Sequence, residues 1–596
     1  MTLCNTSSKT GIRSVLMACL LLVVLIAIAY QDAHKNSFHL DDYINIVQHS
    51  PLWLDELSIK GLLNAGQEAF LSTRPLPSVT FAFDWWRGSG APAPFQWTNL
   101  IIHCATALIL FGLLNTLLKL FLGYSGNRVL WCAFMGAALW AVHPIQIQGV
   151  TYIVQRMTSM ATLFTLLAVW GYIQGRLLSN RALPWFLLCI VSTLCGAMSK
   201  ENAWVIPLLL LLAEYGVCRH GKPLVRARLD YGLLGLPALL CLYVAVDLVS
   251  GAGPLSSFVL PGYSGRDFTL VERLLTQPRV ILFHFSQVLW PLPSRFSIEH
   301  SFPLSTGLLQ PVSTLVALLL LLAWIGVGVC LLLIQRCRLW GFLLLWVPVA
   351  LVIESSIIPL EMVFEHRMYM PMAGLAGMVA LGLGITAQRK RGTFLRVSAG
   401  AAVVILACLM ATLQRVPEWR SHLTLNESAL PHAPLSARVQ SALALAYIES
   451  GRLDDGFKAA QKALQLDVSQ PHAMEALAVV LMDRGRLSEA ERYFTRAYSM
   501  YGENSESSLF NHWGELMVKL GRYHKALPLF MQAIERMPRV PAYYWNIALT
   551  YEHLKQCGKA RAHWERYLEL ESDEGERQIV RDHLQEEHAA PTGKCG

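Results

Sequence analysis

The chain has 596 residues, of which 54% are apolar and 15% charged, and its mean hydropathy is +0.41. This composition excludes a single soluble domain and indicates a membrane protein. The formal net charge is +8, but the basic residues stand in short loops between apolar runs. Such placement reports membrane topology and excludes a nucleic-acid-binding function.

The apolar excess ends near Ala411, and the sequence beyond it is charged and helix-periodic. The predicted fold is all-α, with a multi-pass transmembrane domain over residues 1–416, a linker over 417–434, a repeat solenoid over 435–580 and a tail over 581–596. The apolar runs predict about eleven membrane crossings, at 14–30, 97–118, 129–143, 157–174, 183–198, 202–217, 231–249, 312–334, 339–358, 370–386 and 395–413.

A cytoplasmic N-terminus puts the basic clusters of the short loops inside, as the positive-inside rule requires. A large first outer loop, residues 31–96, then lies on the outer side. Because the number of crossings is odd, the repeats are predicted on that same side. The apolar segment 279–293 is short and contains His284, so it is predicted as a re-entrant or surface helix.

The first outer loop begins with two adjacent acids, Asp41 and Asp42. Paired carboxylates at the outer mouth of a membrane suit a general base that takes a proton from an acceptor. The structural alternative is that one of them caps a short helix beginning at Tyr43. Arg74 lies further along the same loop.

More charged residues follow on the predicted outer face, and charged groups there are costly unless they are paired or hydrated. Arginine grips two phosphate oxygens with a planar fork and lysine offers a point charge, so the cations suit a phosphate group. Local alternatives are a helix-end turn at His143, a headgroup anchor at Arg156 and an ion pair between neighbouring residues 200 and 201. These residues are His143, Arg156, Lys200, Glu201, Glu365, His366 and Arg367.

The C-terminal part repeats. Small residues recur at Gly456, Ala490, Ala526 and Ala560, at intervals of 34, 36 and 34 residues. This period is typical of four tetratricopeptide repeats, in which paired helices stack into a solenoid.

These motifs, in this order, resemble the transmembrane and tetratricopeptide-repeat O-mannosyltransferase family, of the GT-C class of polyprenyl-phosphate-sugar glycosyltransferases. The resemblance covers nearly the whole chain. Two features depart from the family pattern: glutamines 146 and 148 follow the His-Pro pair where an acid is common, and the repeat array is short. The matching pieces are Asp41-Asp42, Arg74-Pro75-Leu76, Asn99 with His103, His143-Pro144, Ile153 to Arg156, Ser199-Lys200-Glu201 and Glu365 to Pro371.

The resemblance implies an enzyme that moves a monosaccharide from a polyprenyl-phosphate donor to a protein hydroxyl at the periplasmic or lumenal face. It makes Asp41 or Asp42 the catalytic base. Compact size and few repeats favour a bacterial relative in the inner membrane, with active site and repeats on the periplasmic side. We expect the donor phosphate to contact Arg74, Arg156, Lys200 and Arg367, with His143, Glu201, Glu365 and His366 in support.

The expected partners are the lipid-linked sugar, an acceptor protein presented by the repeats, and membrane lipid. We assign no metal site, because no third ligand accompanies the aspartate pair, although Mg²⁺ or Mn²⁺ stays open as an alternative. Two other functions also stay open. One is a membrane-anchored repeat scaffold for envelope assembly, and the other is a polymerase or ligase of lipid-linked glycans.

Overall fold

The computed structural model describes residues 11–589, except 124, 179–180, 220–242, 244–245, 248–250, 252–253 and 503–504. The described part is built of helices and contains no β-strand, which confirms the predicted all-α class. The chain divides into two compact units. The first, here called the membrane unit, comprises Met1–Ile298 and Phe302–Arg420, and the second, the repeat unit, comprises Ser421–Gly596 with Glu299–Ser301.

Each predicted apolar run contains helix in the membrane unit, apart from 231–249, which lies mostly outside the described residues. Short 3-10 and π turns join several of these helices. The α-helices are Ile12–Ala29, Ile59–Gln67, Pro75–Gly88, Pro92–Leu122, Asn127–Ala141, Ile147–Thr151, Arg156–Leu177, Ala182–Ala197, Ile206–Ala213, Pro254–Val259, Leu270–Leu289, Ser313–Leu333, Arg338–Leu351, Met372–Ala387 and Arg391–Arg415.

Six helical stretches of the described part are long and apolar enough to cross a membrane. A seventh results if the bent pair Asn127–Ala141 and Pro144–Thr151 is one span. The pair bends by 53° at the His-Pro junction, where proline lacks the N–H that would continue the helical hydrogen bonds. The count of eleven crossings stays a prediction.

Small residues let the membrane-unit helices approach closely. A Cβ atom at Gly136 would lie 2.8 Å from the Ala380 Cβ and 2.9 Å from the Ala376 carbonyl oxygen. A Cβ at Gly341 would lie 2.5 Å from the Leu332 backbone nitrogen. Close backbone packing of this kind replaces the hydrophobic drive that helices lack inside a membrane.

The helix Leu270–Leu289 differs from the short segment predicted at 279–293. It begins nine residues earlier than expected, because Thr269 and Glu272 form a capping box that satisfies the first free N–H groups. Pro278 lies inside this helix. Its buried face carries Arg273 and Gln277, together with His284 and Gln287 about two to four turns further on.

The repeat unit contains four helix pairs and a last helix, as the 34-residue period predicts. Glycines 451, 485 and 521 turn the first three pairs with φ between 70° and 75°, and Lys555 makes the fourth turn with φ of 58°. The segment predicted as a linker contains the helix His422–Ala429. The pairs are Ala437–Glu449 with Leu453–Leu466, Pro471–Asp483 with Leu487–Tyr501, Ser507–Lys519 with Tyr523–Arg536, and Pro541–His553 with Cys557–Leu570, followed by Glu574–Ala589.

Three aromatic residues of the second helices, Phe494, Phe530 and Trp564, are fully buried in one core with the small residues of those helices. Gly514 gives Phe530 its room, because a Cβ there would lie 2.6 Å from the ring. These residues are therefore structural.

We predict that Phe530→Ala lowers the free energy of opening of the helices Ser507–Lys519 and Tyr523–Arg536 by about 3–5 kcal/mol, because it leaves a cavity in the core. Hydrogen-exchange mass spectrometry on the full chain measures this quantity. The matched control is Met531→Ala, one residue along the same helix, where the side chain is 51% exposed. Equal exchange in the two variants would contradict the assignment.

Candidate active site

Asp42 is fully buried and its carboxylate is held by the backbone. Its Oδ2 accepts a hydrogen bond from the His39 N–H at 2.9 Å, and its Oδ1 accepts one from the Val154 N–H at 2.7 Å. Burial raises the pKa of Asp42 well above its ordinary value, although these backbone donors favour the charged form. Asp42 stands at the N-cap of a π-helical turn, Tyr43–Val47, but its side chain does not cap it. The Asp42 carboxylate therefore joins the first outer loop to the backbone at Val154.

Asp41 has the opposite environment. Its side chain is exposed, and no lysine or arginine of the described residues lies within ion-pair distance of its carboxylate. Its backbone N–H donates to the Tyr152 hydroxyl at 2.9 Å. The Tyr152 ring packs on Trp419 with 5.4 Å between ring centroids. Of the two predicted bases, the geometry therefore favours Asp41 for contact with a substrate.

A second group of charges lies in the membrane unit and includes most of the predicted phosphate-binding residues. The group contains three ion pairs: Arg74 with Glu201 at 2.7 Å, Lys200 with Glu354 at 2.6 Å, and Arg266 with Glu361 at 2.7 Å. Lys200 thus pairs across the fold and not with the adjacent Glu201. We call the set the cationic cluster: Arg74, Lys200, Arg266, Arg273 and Arg367 with Glu201, Glu354 and Glu361.

Two members of the cationic cluster, Arg273 and Arg367, are buried without a carboxylate in ion-pair distance among the described residues. Both donate to backbone carbonyls of the loop 354–362. Arg273 donates to Glu354 at 2.8 Å and to Ser356 at 2.9 Å, and Arg367 donates to Met362 at 3.0 Å. Each also donates to further carbonyls of this loop, at Leu360 and Glu361.

The cluster of described residues consequently holds five cations and three carboxylates. Buried charges are normally compensated, because removing an ion from water is costly. Two positive charges in excess make this region suited to an anionic group. A phosphate is such a group, and arginine and lysine are its usual ligands.

One short segment connects the aspartate pair to the cationic cluster. Asp42 binds the N–H of Val154, while Lys200 donates to the Thr158 hydroxyl at 2.8 Å. Arg74 lies 3.3 Å from the Met157 sulfur. The ends of this segment, Val154 and Thr158, are four positions apart, which corresponds to about 6 Å of helical rise. Both groups of charges therefore contact the start of the helix Arg156–Leu177.

Arg156, also predicted to bind phosphate, is fully buried and has partners at every guanidinium nitrogen. It pairs with Asp84 at 2.5 Å and donates to the Asn99 side chain at 2.6 Å and to the Phe95 carbonyl at 2.9 Å. Its third nitrogen donates to the Thr80 hydroxyl at 3.1 Å. The geometry favours a structural role for Arg156, because every guanidinium nitrogen has a protein partner and the charge is paired with Asp84.

Of the predicted supporting residues, Glu201 belongs to the cationic cluster. The other three are His143, Glu365 and His366. His143 is buried at the break between two helices, where its Nδ1 accepts from the Ile145 N–H at 3.2 Å. Glu365 accepts from the Ser297 N–H at 2.7 Å and pairs with Arg415 at 3.1 Å. Burial raises the pKa of Glu365 to about 7, against the effect of Arg415.

His366 lies beside the cationic cluster. Both its N–H and its Nδ1 face the Oε1 of Gln148, at 3.2 and 3.3 Å. Phe364 stacks on its ring with 5.0 Å between centroids.

Several residues of the site are not among the residues predicted from the sequence: Tyr152, Arg273, Glu354 and Arg415. Two of them carry a signal in the sequence. Glu354 is an acid within the apolar run 339–358, and Arg273 opens a polar series at helical spacing with Gln277. The others lack a local signal because their partners are distant in sequence.

The described residues contain no group of three histidine, cysteine, aspartate or glutamate side chains able to hold a metal ion. The donor set also fits a metal poorly at the aspartate pair. Both Asp42 oxygens already accept backbone N–H groups, so Asp41 alone is left as a ligand.

Fold and site together define an α-helical membrane protein that carries tetratricopeptide repeats. A family model described as "Tetratricopeptide repeat" matches residues 434–505 and 513–575, which confirms the predicted repeats. Among curated proteins, the chain is 23% identical over 487 residues to protein O-mannosyl-transferase F38B6.6 of Caenorhabditis elegans, covering 77% of this chain and 63% of that protein. It is 22% identical over 487 residues to protein O-mannosyl-transferase Tmtc3 of Drosophila melanogaster, covering 73% and 53%.

A shorter match, 31% identical over 156 residues, joins it to human protein O-mannosyl-transferase TMTC1 and covers 25% of this chain and 16% of that protein. These relatives confirm the predicted family resemblance. The match spans between about half and two thirds of the first two relatives. Among solved structures, MamA is 17% identical, with a TM-score of 0.21 over 28% of this chain and 89% of that one.

We predict that Asp84→Asn destabilises the membrane unit by about 3–5 kcal/mol, because it leaves the Arg156 charge buried and unpaired. Thermal unfolding in detergent, followed by intrinsic fluorescence, measures the change. The control is Asp32→Asn, which breaks the exposed pair with Lys35 and should leave the unfolding temperature unchanged. A shift no larger than the control's would refute the buried-pair assignment.

Proposed function

We propose that this protein is a membrane glycosyltransferase that moves a sugar from a lipid-phosphate donor onto a hydroxyl group of a protein. The observation that carries the proposal is that one segment, 154–158, contacts both groups of charges: Asp42, the neighbour of the exposed Asp41, binds the N–H of Val154, and Lys200 of the cationic cluster binds Thr158. A glycosyl transfer needs both, one to remove a proton and one to hold the departing phosphate. The names of the relatives, both protein O-mannosyl-transferases, support mannose as the sugar.

The proposed reaction is one displacement. The acceptor hydroxyl oxygen attacks the anomeric carbon of the donor while its proton passes to the Asp41 carboxylate. The bond between the anomeric carbon and the phosphate oxygen breaks, and its electron pair leaves with the lipid phosphate. The phosphate gains negative charge in this step, which the excess charge of the cationic cluster offsets.

The proposed setting is a bacterial inner membrane, with a polyprenyl-phosphate donor and the site on the periplasmic side. Apolar helices able to cross a membrane support the lipid-linked donor. We propose further that the repeats bind the acceptor protein, since stacked helix pairs form extended surfaces for protein partners. The scaffold and the glycan polymerase functions gain no specific support from the site.

Asp41→Asn should lower sugar transfer by about 10²–10⁴-fold, because the general base is lost. The unfolding temperature should not change, since the Asp41 carboxylate is exposed. Asp42→Asn is the matched comparison. Its amide NH₂ would face a backbone N–H donor, so it should destabilise the protein by about 1–3 kcal/mol.

Glycosylation of envelope proteins, measured by mass spectrometry beside the unfolding temperature of each purified variant, separates the two effects. Transfer at the wild-type rate by Asp41→Asn would rule out Asp41 as the base.

Lys200→Met should weaken binding of undecaprenyl phosphate by at least about tenfold, because it removes one positive charge and leaves Glu354 unpaired. The double variant with Glu354→Gln removes one charge of each sign, so the excess is retained and most of the affinity should return. Native mass spectrometry of the lipid complex measures the binding. Lys60→Met, at an exposed lysine of the first outer loop, is the control.

Unchanged binding in Lys200→Met would refute the phosphate site. A double variant as weak as the single variant would show that Lys200 acts by direct contact and not through the charge balance.

A further inference from the structure

Of the two ring nitrogens of His366, one has a partner among the described residues and the other has none there. Its Nδ1 faces the Gln148 Oε1 at 3.3 Å, while its Nε2 makes no hydrogen bond with the described residues. The side chain is 6% exposed. Phe364 stacks on the ring and so limits its rotation. A partly accessible nitrogen at a fixed place is available to a ligand.

The orientation of the Gln148 side chain decides the tautomer of His366. The Gln148 Nε2 lies 3.4 Å from the Ser297 carbonyl oxygen, which only accepts hydrogen bonds. The amide group is therefore oriented with its NH₂ toward Ser297 and its oxygen toward His366. An oxygen acceptor there requires a proton on the histidine Nδ1.

The surrounding charges keep the imidazole neutral. The largest electrostatic effects on it come from Lys200, Arg367, His284 and Arg74. Burial and these cations lower the pKa of His366 well below its ordinary value. With Nδ1 protonated and the ring neutral, Nε2 carries a lone pair.

We infer that His366 accepts a hydrogen bond from a hydroxyl group of the donor sugar through Nε2, and that Gln148 is the positioning residue that fixes its tautomer. The inference rests on the proposed function, which puts the donor phosphate at the cationic cluster. Lysine and arginine side chains offer donors alone, whereas the three carboxylates of the cluster are occupied by ion pairs. The Nε2 atom of His366 is then the acceptor for a sugar hydroxyl group beside the phosphate.

Gln148 matters because a carboxylate in its place would favour the imidazolium form of His366. Nε2 would then carry a proton and repel the hydrogen of a sugar hydroxyl. An amide supplies the same oxygen without the charge. The neutral side chain at position 148 is thus matched to an acceptor role for His366.

The test compares binding of undecaprenyl phosphate mannose with binding of undecaprenyl phosphate, by native mass spectrometry of the full chain. The affinity ratio of the two lipids reports the contact with the sugar and is not moved by a general loss of structure. His366→Asn keeps a polar group near Nδ1 and removes the one at Nε2, so the ratio should fall by about fivefold to tenfold. His366→Gln can place its amide oxygen near the Nε2 position and should restore part of the ratio.

Gln148→Glu provides an independent variant with His366 intact, and it should also lower the ratio. A wild-type ratio in His366→Asn or in Gln148→Glu would overturn the inference while leaving the proposed function in place. Failure of the wild-type protein to bind either lipid would overturn the proposed function as well. Each variant is compared only where its unfolding temperature matches that of the wild type.

Discussion

The hydrogen bond between the Asp42 carboxylate and the Val154 N–H is the contact on which the candidate site depends. It joins the first outer loop to the start of the helix Arg156–Leu177, where Lys200 and Arg74 also make contact. A buried carboxylate is tolerated there because backbone N–H groups occupy both of its oxygens. The preceding residue, Asp41, donates its backbone N–H to the Tyr152 hydroxyl and has an exposed side chain.

Charge balance divides the arginines of the membrane unit into two kinds. Arg156 is neutralised by Asp84 inside the protein, and its remaining donors meet oxygen atoms of the protein. Among the residues that the structure describes, the hydrogen bonds of Arg273 and Arg367 go to carbonyl oxygens, which accept hydrogen bonds without cancelling the charge. All three arginines make hydrogen bonds with the protein, so the hydrogen bonds alone do not show which arginine is able to bind an anion. The distinction is the presence or absence of a carboxylate partner.

A structural feature can be predicted from the sequence when the residues that form it are close together in the chain or recur at a fixed interval. The repeats are visible because Gly456, Ala490 and Ala526 recur at a fixed interval and each helix pair needs its own small residue. The aspartate pair is visible as a site, but adjacency in sequence does not show that Asp42 is buried and Asp41 exposed. The pair of Lys200 with Glu354 joins residues 154 positions apart, so sequence spacing favours the wrong partner, Glu201.

The helix Leu270–Leu289 is less apolar than neighbouring helices of the membrane unit because one of its faces carries buried polar residues. Arg273 and Gln277 lie on its buried face and donate to carbonyls of the loop 354–362, including Met362 at 3.2 Å from the Gln277 amide. That loop supplies Glu354 to Lys200 and leads directly to His366. The polar face is thus required to hold irregular backbone at the site, where carbonyl groups lack helical partners. Low hydrophobicity in this helix is a consequence of its role beside the cationic cluster.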